Sequence, residues 1–329
     1  SAWSDDVNEL TAFFTSSVQA NFDSPSSSGQ FHVEVYDKAP TGGSLDATAE
    51  VQFSIAYGHR HGSGSQDFDN NTGGEGFSST RSIYSQYRNL VFGGDETQFF
   101  SFDGHTPDDI YVLNINRARY KQTLRVGNTK LILSGSGADK LVLTDDSVTT
   151  PSAVLRSGVG REFTLVSGSD GTRQGDSNVY VTNSGSYGKI YPDAGFIILN
   201  PDALDAKTSD NGIDLDTATS PNTNDKNSLK LFHSINSGSS FILDSQENIT
   251  SRYFFVRAKN TQFNYTTNDS FTNEDGTLRF DSMIDNPKVY ITTVGLYNNN
   301  LDLLAVAKLS QPLPKDFTKE ALIKVKLDY

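Results

Sequence analysis

The sequence predicts a mainly β protein: antiparallel sheets with two short helices and a loop-rich middle lobe. Three observations carry that expectation. Apolar and polar residues alternate over short runs along most of the chain, the period of a half-buried strand. Gly, Asn, Asp and Ser bound nearly every run, as turn chemistry requires. The 14 Tyr and 21 Phe among 329 residues supply rings for a core although the apolar fraction is only 35%, which separates the chain from disordered compositions.

Two segments depart from the strand period. In residues 4–22, SDDVNELTAFFTSSVQANF, Ser4 stands at an N-cap position, Asp5, Asp6 and Glu9 favour the positive end of a helix, and Val7, Leu10, Phe14 and Val18 share a face. A second helix is expected over residues 79–92, STRSIYSQYRNLVF, on a stripe of Ile83, Tyr84, Tyr87, Leu90 and Val91. The GSGSQDFDNNTGGEGFSS before it reads as a flexible loop.

The strands follow. FHVEVYDKAP places Phe31, Val33 and Val35 on one face, and AEVQFSIAYGHR repeats the pattern with Val51, Phe53 and Ile55. DIYVLNINRARY, TKLILSG and DKLVLTDD add three more. In SRYFFVRAKNTQFNY, Tyr253, Phe255, Arg257 and Lys259 oppose Phe254, Val256 and Ala258. Near the end, VYITTVGLYNNNLDLLAVAKL (residues 289–309) reads as a hairpin turning at Asn298, Asn299 and Asn300, residues tolerant of the left-handed conformation. SQPLPKDF is expected to end that pairing with its two prolines, and ALIKVKLDY to form a last strand. The hairpin reads as a sheet built to be buried.

Between residues 134 and 248 the apolar runs thin out, AGFIILN being one, and long polar links such as SGSDGTRQGDSN and AKTSDNGIDLDTATSPNTNDKNS separate them. The expected organisation is an N-terminal β region with both helices over 1–133, the middle lobe as an insertion over 134–248, and a C-terminal β region over 249–329 packing back on the first. No fixed-period repeat is evident.

Composition narrows the function classes. A net charge of −13 and a pI near 4.7 repel phosphate backbones, and the longest basic run, RARYKQTLR, is broken by apolar residues at strand spacing, so no nucleic-acid partner is expected. Cys is absent, which removes disulfides and thiolate chemistry. SAWSDDVNEL has neither the basic nor the apolar region of a signal peptide, and no run approaches the ~18 apolar residues of a spanning helix. The expectation is synthesis in a cytoplasm without membrane insertion.

The search for chemistry returns no catalytic residue, no cofactor site and no metal site. His59 and His61 in YGHRHGSGS point the same way on a strand, the spacing of a metal pair, but no neighbouring Cys or carboxylate completes a set. They read as solvent-facing imidazoles at a strand end, and His32, His105 and His233 stand apart. The pairs Asp5–Asp6, Asp108–Asp109 and Asp145–Asp146 read as solvated turn and cap residues. DNNTGGEG and SDNGIDLD have a calcium-loop composition without its spacing. No nucleophile elbow, P-loop, dinucleotide fingerprint or zincin motif occurs. Tyr and Arg dominate binding hot spots, so Tyr84, Tyr87 and Arg88 on the second helix are the candidate partner contacts; packing of that helix on the sheet is the competing role.

Several phrases carry a family resemblance: AEVQFSIAYGHRHGSGS, RSIYSQYRNLVF, DDIYVLNINRARYKQTL, RYFFVRAKNTQFNYTTN, and NPKVYITTVGLYNNNLDLLAVAKLSQPLPKDFTKEALIKVKLDY. With these, the chain resembles virion structural proteins of T4-like myophages of marine bacteria, cyanobacteria especially. The resemblance spans most of the chain and is strongest over residues 251–329. The order of elements is similar to that of the small dimeric wedge protein of T4-like tail baseplates. The resemblance implies a virion subunit without enzymatic activity, a homodimer within the particle that bridges other baseplate and tail proteins of the contractile tail. A neck adaptor and a host-recognition or carbohydrate-binding β module of the same particle are the alternatives.

Overall fold

Residues 9–10, 14–15, 32–39, 46–65, 78–95, 97–135, 140–168 and 186–329 are described by the structure, a computed structural model. It is mainly β, in antiparallel sheets. The chain divides into two compact units, Ser1–Glu247 and Asn248–Tyr329.

The first unit is built on one twelve-stranded sheet. Its strands are β1 (Glu9–Leu10), β2 (Phe14–Thr15), β3 (His32–Tyr36), β4 (Val51–His59), β5 (Asp109–Ile115), β6 (Thr123–Ser134), β7 (Lys140–Asp145), β8 (Val154–Arg156), β9 (Gly160–Ser167), β10 (Gly188–Tyr191), β11 (Phe196–Leu199) and β12 (Phe241–Gln246). The spatial order is β1-β12-β6-β7-β9-β10-β11-β5-β4-β3-β2, with β8 paired to β9.

The period-two pattern sends side chains to both faces of this sheet, and both are covered. On β5, Tyr111, Leu113 and Ile115 enter one core and Ile110 and Val112 another. On β11, Ile197 and Leu199 divide from Phe196 and Ile198 in the same way. The larger core lies under α3 (Asn224–Gly238), which packs on β3, β4 and β6. Strands β4 and β6 lie far apart in the sheet order, so the sheet must curve around that helix. Phe53 of β4 and Phe241 of β12 meet edge to face across the curve at 5.4 Å.

The second core lies under α1 (Ser79–Phe92), placed as the sequence predicts. The helix ends at Gly93, whose φ of 72° lets its N–H reach Asn89 O. It packs closely on β4 because Gly58 has no side chain: a Cβ there would stand 2.9 Å from Tyr84 N.

Several expectations change. Where residues 4–22 are described they are strand, not helix: β1 pairs with β12 and β2 with β3. Sheet edges recruit these two-residue pieces, and pairing overrides a weak helical stripe. The rest of that segment lies outside the described residues, as do most of GSGSQDFDNNTGGEGFSS and SGSDGTRQGDSN. The boundary expected at 133/134 falls within β6, and strands on both sides of it share one sheet, so residues 134–248 belong to the same unit as those before them, apart from Asn248. Beyond α1 the described residues hold three further helices, α2 (Pro201–Asp205), α3 and α4 (Ser282–Asp285).

The second unit holds two separate ribbons. β13 (Ser251–Ala258) pairs with β16 (Ala321–Asp328), and β14 (Val289–Tyr297) with β15 (Leu303–Lys315). The hairpin at 289–309 is present. Its return strand runs past Pro312 and Pro314 to Lys315, with a register shift that takes β14 from Ile291 to Thr293 while β15 passes from Leu313 to Lys308. A bulge in an outer strand is where proline fits a ladder. The hairpin is not buried: most side chains of both its strands are half or fully exposed.

Candidate interaction surface

Tyr84 and Tyr87 turn inward from α1. The Tyr84 ring is 2% exposed and meets Phe100 edge to face at 5.7 Å, and burial pushes its hydroxyl up to about 12. Tyr87 meets Phe196 at 5.3 Å, and burial raises its hydroxyl too. Arg88 is half-buried, with Nη2 donating to Asn89 Oδ1 at 2.9 Å. The structure thus brings Tyr84 fully and Tyr87 partly into the packing of α1, and leaves Arg88, like Tyr87, half-buried.

The histidine pair sits at the end of β4. Its rings lie 6.0 Å apart, and His59 Nδ1 accepts from His61 N at 3.0 Å. His59 is buried, not solvent-facing, and burial pulls its imidazole down to about 4. No group of three or more potential metal ligands occurs among the described residues.

The Asp108–Asp109 pair splits at the start of β5. Asp108 is exposed, 3.7 Å from both Arg60 Nη1 and His61 Nε2. Asp109 is buried, where Tyr57 donates its hydroxyl to Oδ2 at 2.9 Å. Burial, reinforced by the charge of Asp202, lifts its carboxyl to about 7. Close by, His105 Nε2 lies 2.6 Å from Asp202 Oδ2, and Asp205 accepts from Thr217 N and Oγ1 at 3.0 and 2.7 Å. These contacts hold α2 and the link after it, near the start of β5.

Asp145 and Asp146 are also internal. Asp145 accepts from Gly127 N at 2.8 Å, and Asp146 from Thr164 N at 2.9 Å. Both cap neighbouring backbone, as predicted of turn residues, but in the interior.

Glu162 closes a second buried network. Its Oε2 accepts from Arg156 Nε at 2.7 Å and Tyr191 O–H at 3.1 Å, and its Oε1 from Lys189 Nζ at 2.6 Å and Arg156 Nη2 at 3.2 Å. Burial opposes the charge, but Arg156 and Lys189 outweigh it and hold the carboxyl below its usual range. With every lone pair engaged, this network ties β8, β9 and β10 together.

The unabsorbed feature lies in the second unit. Seventeen of the twenty-one exposed large apolar side chains among the described residues belong to residues 248–329, a quarter of the chain. Phe255, Leu304 and Leu322 are each more than three-fifths exposed. Charge divides along the same line. Residues 248–329 carry ten Lys/Arg and nine Asp/Glu, whereas residues 1–247 carry seventeen and thirty-one, net +1 against −14. The unit does have a polar anchor: Lys315 is fully buried, and its Nζ donates to Asn264 Oδ1, Asn260 O and Asp316 O at 2.8, 3.0 and 3.0 Å.

Beside β14 runs an open groove of about 530 Å³ with no charged residue in its lining. Phe263, Tyr265, Tyr290 and Tyr297 border it, with Val256, Ala258 and Ile323 opposite. An apolar surface of this extent, almost neutral on an acidic chain, is the chemistry of a protein contact. Sequence reasoning saw this apolar density but took it for core. The available signal was the alternation of Lys with apolar residues in ALIKVKLDY.

No family model matches the chain, and no curated protein or solved structure matches it.

Proposed function

We propose that the chain is a structural subunit of a contractile-tailed phage virion, a component of the tail baseplate wedge that bridges neighbouring wedge proteins. The observation that carries this reading is the concentration of exposed apolar side chains in residues 248–329, on the two ribbons and the links between them. Isolated two-stranded ribbons are marginal in water and gain stability when a further strand or surface covers them. A subunit that completes such a module on its neighbours is an assembly component. The family resemblance, strongest over these same residues, supplies the particle, and with it assembly in the host cytoplasm and residence in the virion.

The test is immunogold labelling of purified particles with antibody raised against the recombinant chain. Gold at the baseplate is expected. Gold at the neck favours an adaptor there, and unlabelled particles overturn the virion assignment.

A second reading has its own observation. Four exposed aromatic rings and the hydroxyls of Thr266, Thr292 and Thr293 border one uncharged groove, a combination suited to stacking on neutral sugars. Binding of host surface polysaccharide by the full chain, lost on Tyr290→Ala, would support a host-recognition module, with gold at fibre tips.

A further inference from the structure

We infer that the outer face of the β13–β16 ribbon docks an acidic segment of a partner protein, with a carboxylate at Lys324 and apolar side chains on Phe255 and Leu322. This rests on the assembly reading of residues 248–329 and deepens it by naming the partner's chemistry.

Register divides the ribbon into two faces. Tyr253 stands opposite Lys326, Phe255 opposite Lys324 and Arg257 opposite Leu322; the alternate pairs are Phe254 with Val325, Val256 with Ile323 and Ala258 with Ala321. Directly opposed residues share a face. The second set is turned inward: Ala258, Ala321 and Val325 are buried, and Val256 and Ile323 line the groove beside β14. The first set is open. Phe255 and Leu322 are each more than three-fifths exposed, and Tyr253, Arg257, Lys324 and Lys326 are exposed too.

The near-neutral total of residues 248–329 hides an uneven distribution. The open face carries the cations Arg257, Lys324 and Lys326 against the single anion Asp328. Toward its ends the charges are already paired: Arg257 Nη2 lies 2.6 Å from Glu320 Oε2, and Lys326 Nζ 2.8 Å from Asp328 Oδ2. At the centre, Lys324 has no carboxylate at ion-pair distance among the described residues. Its Nζ lies 4.1 Å from the centroid of the Tyr253 ring and 6.0 Å from that of Phe255. Rings hold an ammonium in place without neutralising it. The face therefore presents a positioned cation bordered by apolar surface.

These features select the occupant. An uncompensated cation on an open face is complementary to an anion. The ammonium covers a face of the Tyr253 ring on which a base or a sugar would stack, whereas Phe255 and Leu322 remain open to aliphatic or aromatic side chains. Residues 1–247 carry −14, which repels a nucleic acid or an anionic membrane approaching the chain. A short acidic run with apolar neighbours meets the cation and both apolar side chains together, the mixture of contacts typical of a protein interface.

The experiment is fluorescence anisotropy on the full chain at low salt, with a labelled peptide of strand length that alternates Glu and Leu. Binding is expected, weakening as salt is raised, and the same peptide with Gln in place of Glu should bind far less. Lys324→Glu should weaken binding about tenfold or more, with circular dichroism and melting unchanged because the side chain is exposed. Arg81→Glu, at an exposed position of α1, makes the same change in net charge and should leave binding as it was. A chain that does not bind the peptide overturns the inference. So does binding that Lys324→Glu leaves intact, that Arg81→Glu weakens equally, or that the Gln peptide matches. Tighter capture of heparin, a single-stranded oligonucleotide or anionic vesicles through Lys324 would also overturn it, in favour of a polyanion. Each of these results leaves the assembly reading standing, because the gold label tests that separately.

Discussion

Both units are antiparallel and rich in aromatic residues, yet they use their apolar residues in opposite ways. In the first, both faces of one curved sheet are covered, by α3 on one side and α1 on the other, and rings such as Tyr57, Phe53 and Phe241 are fully enclosed. In the second, the strands are as long and as apolar, but each pairs with only one other strand. Its buried apolar residues among those described are few and mostly small: Ala258, Phe271, Val289, Val294, Ala321 and Val325. Alternation therefore specifies a strand without specifying a core. Covering a face takes a second layer, and the second unit leaves much of its apolar surface exposed.

The sharpest way to break this contrast is to cut into the first core. Phe241→Ala removes a fully buried ring that meets Phe53 across the curve of the sheet, and should cost about 3–5 kcal/mol. Calorimetry measures it, and a loss under about 1 kcal/mol would show that the closure through Phe53 contributes little.

The next effect depends on pH. Asp109 is raised from an ordinary 3.8 to about 7 by burial, so between those values the folded state holds a proton that the unfolded state releases. Stability from this group is present below about pH 4 and is lost as pH rises through about 7. His59, depressed by burial to about 4, works in the opposite sense: its contribution is lost as pH falls from its ordinary 6.5. Asp109→Asn keeps an acceptor for Tyr57 and should stabilise the chain at pH 8 by an amount on the order of 3 kcal/mol. Below pH 4 the gain vanishes, and between about pH 4 and 6.5 the variant shows the His59 slope unmasked. A variant with the wild-type pH profile would refute the charge as the cause.

In the second unit the comparison reverses, because a polar group does the internal anchoring. Lys315→Met deprives Asn260 O, Asn264 Oδ1 and Asp316 O of their donor and should destabilise this unit by about 2 kcal/mol. Faster amide exchange confined to residues 248–329 would register it; exchange spread over the first unit as well would be the contrary result.

The smallest expected effect is Phe255→Ala. This ring is large but 64% exposed, so its loss should shift monomer stability by no more than about 0.5 kcal/mol. A cost above about 2 kcal/mol would mean that the ribbon face is already covered within one chain, and would sink the contrast itself.

What was legible in the sequence follows from its strong local patterns. The strands from β3 to β7 and the helix α1 lie where alternation and a three-to-four spacing place them, because their inward positions are plainly apolar. α3 was not legible. Its inward face mixes Leu231, Phe232 and Ile235 with Asn224, Asn227, Ser228 and Ser234. Asn227 is buried because its amide donates to Ala218 O at 2.7 Å and its Oδ1 accepts from Ala218 N at 2.9 Å. That partner is nine residues away, in a stretch read as polar link. Likewise β1 and β2 owe their form to the edges they meet, and Tyr84 became a core residue only when α1 lay on Gly58.

By itself the sequence determined the class: a mainly β chain whose period-two runs, turn residues and absence of cysteine left no other common architecture. It also determined where the uncharged strand β14 stands. Tertiary structure alone decided which apolar runs became interior and which carboxyls of the Asp108–Asp109 and Asp145–Asp146 pairs were enclosed. Periodicity is set between neighbours along the chain, whereas burial and pairing depend on what arrives from distant positions to exclude water.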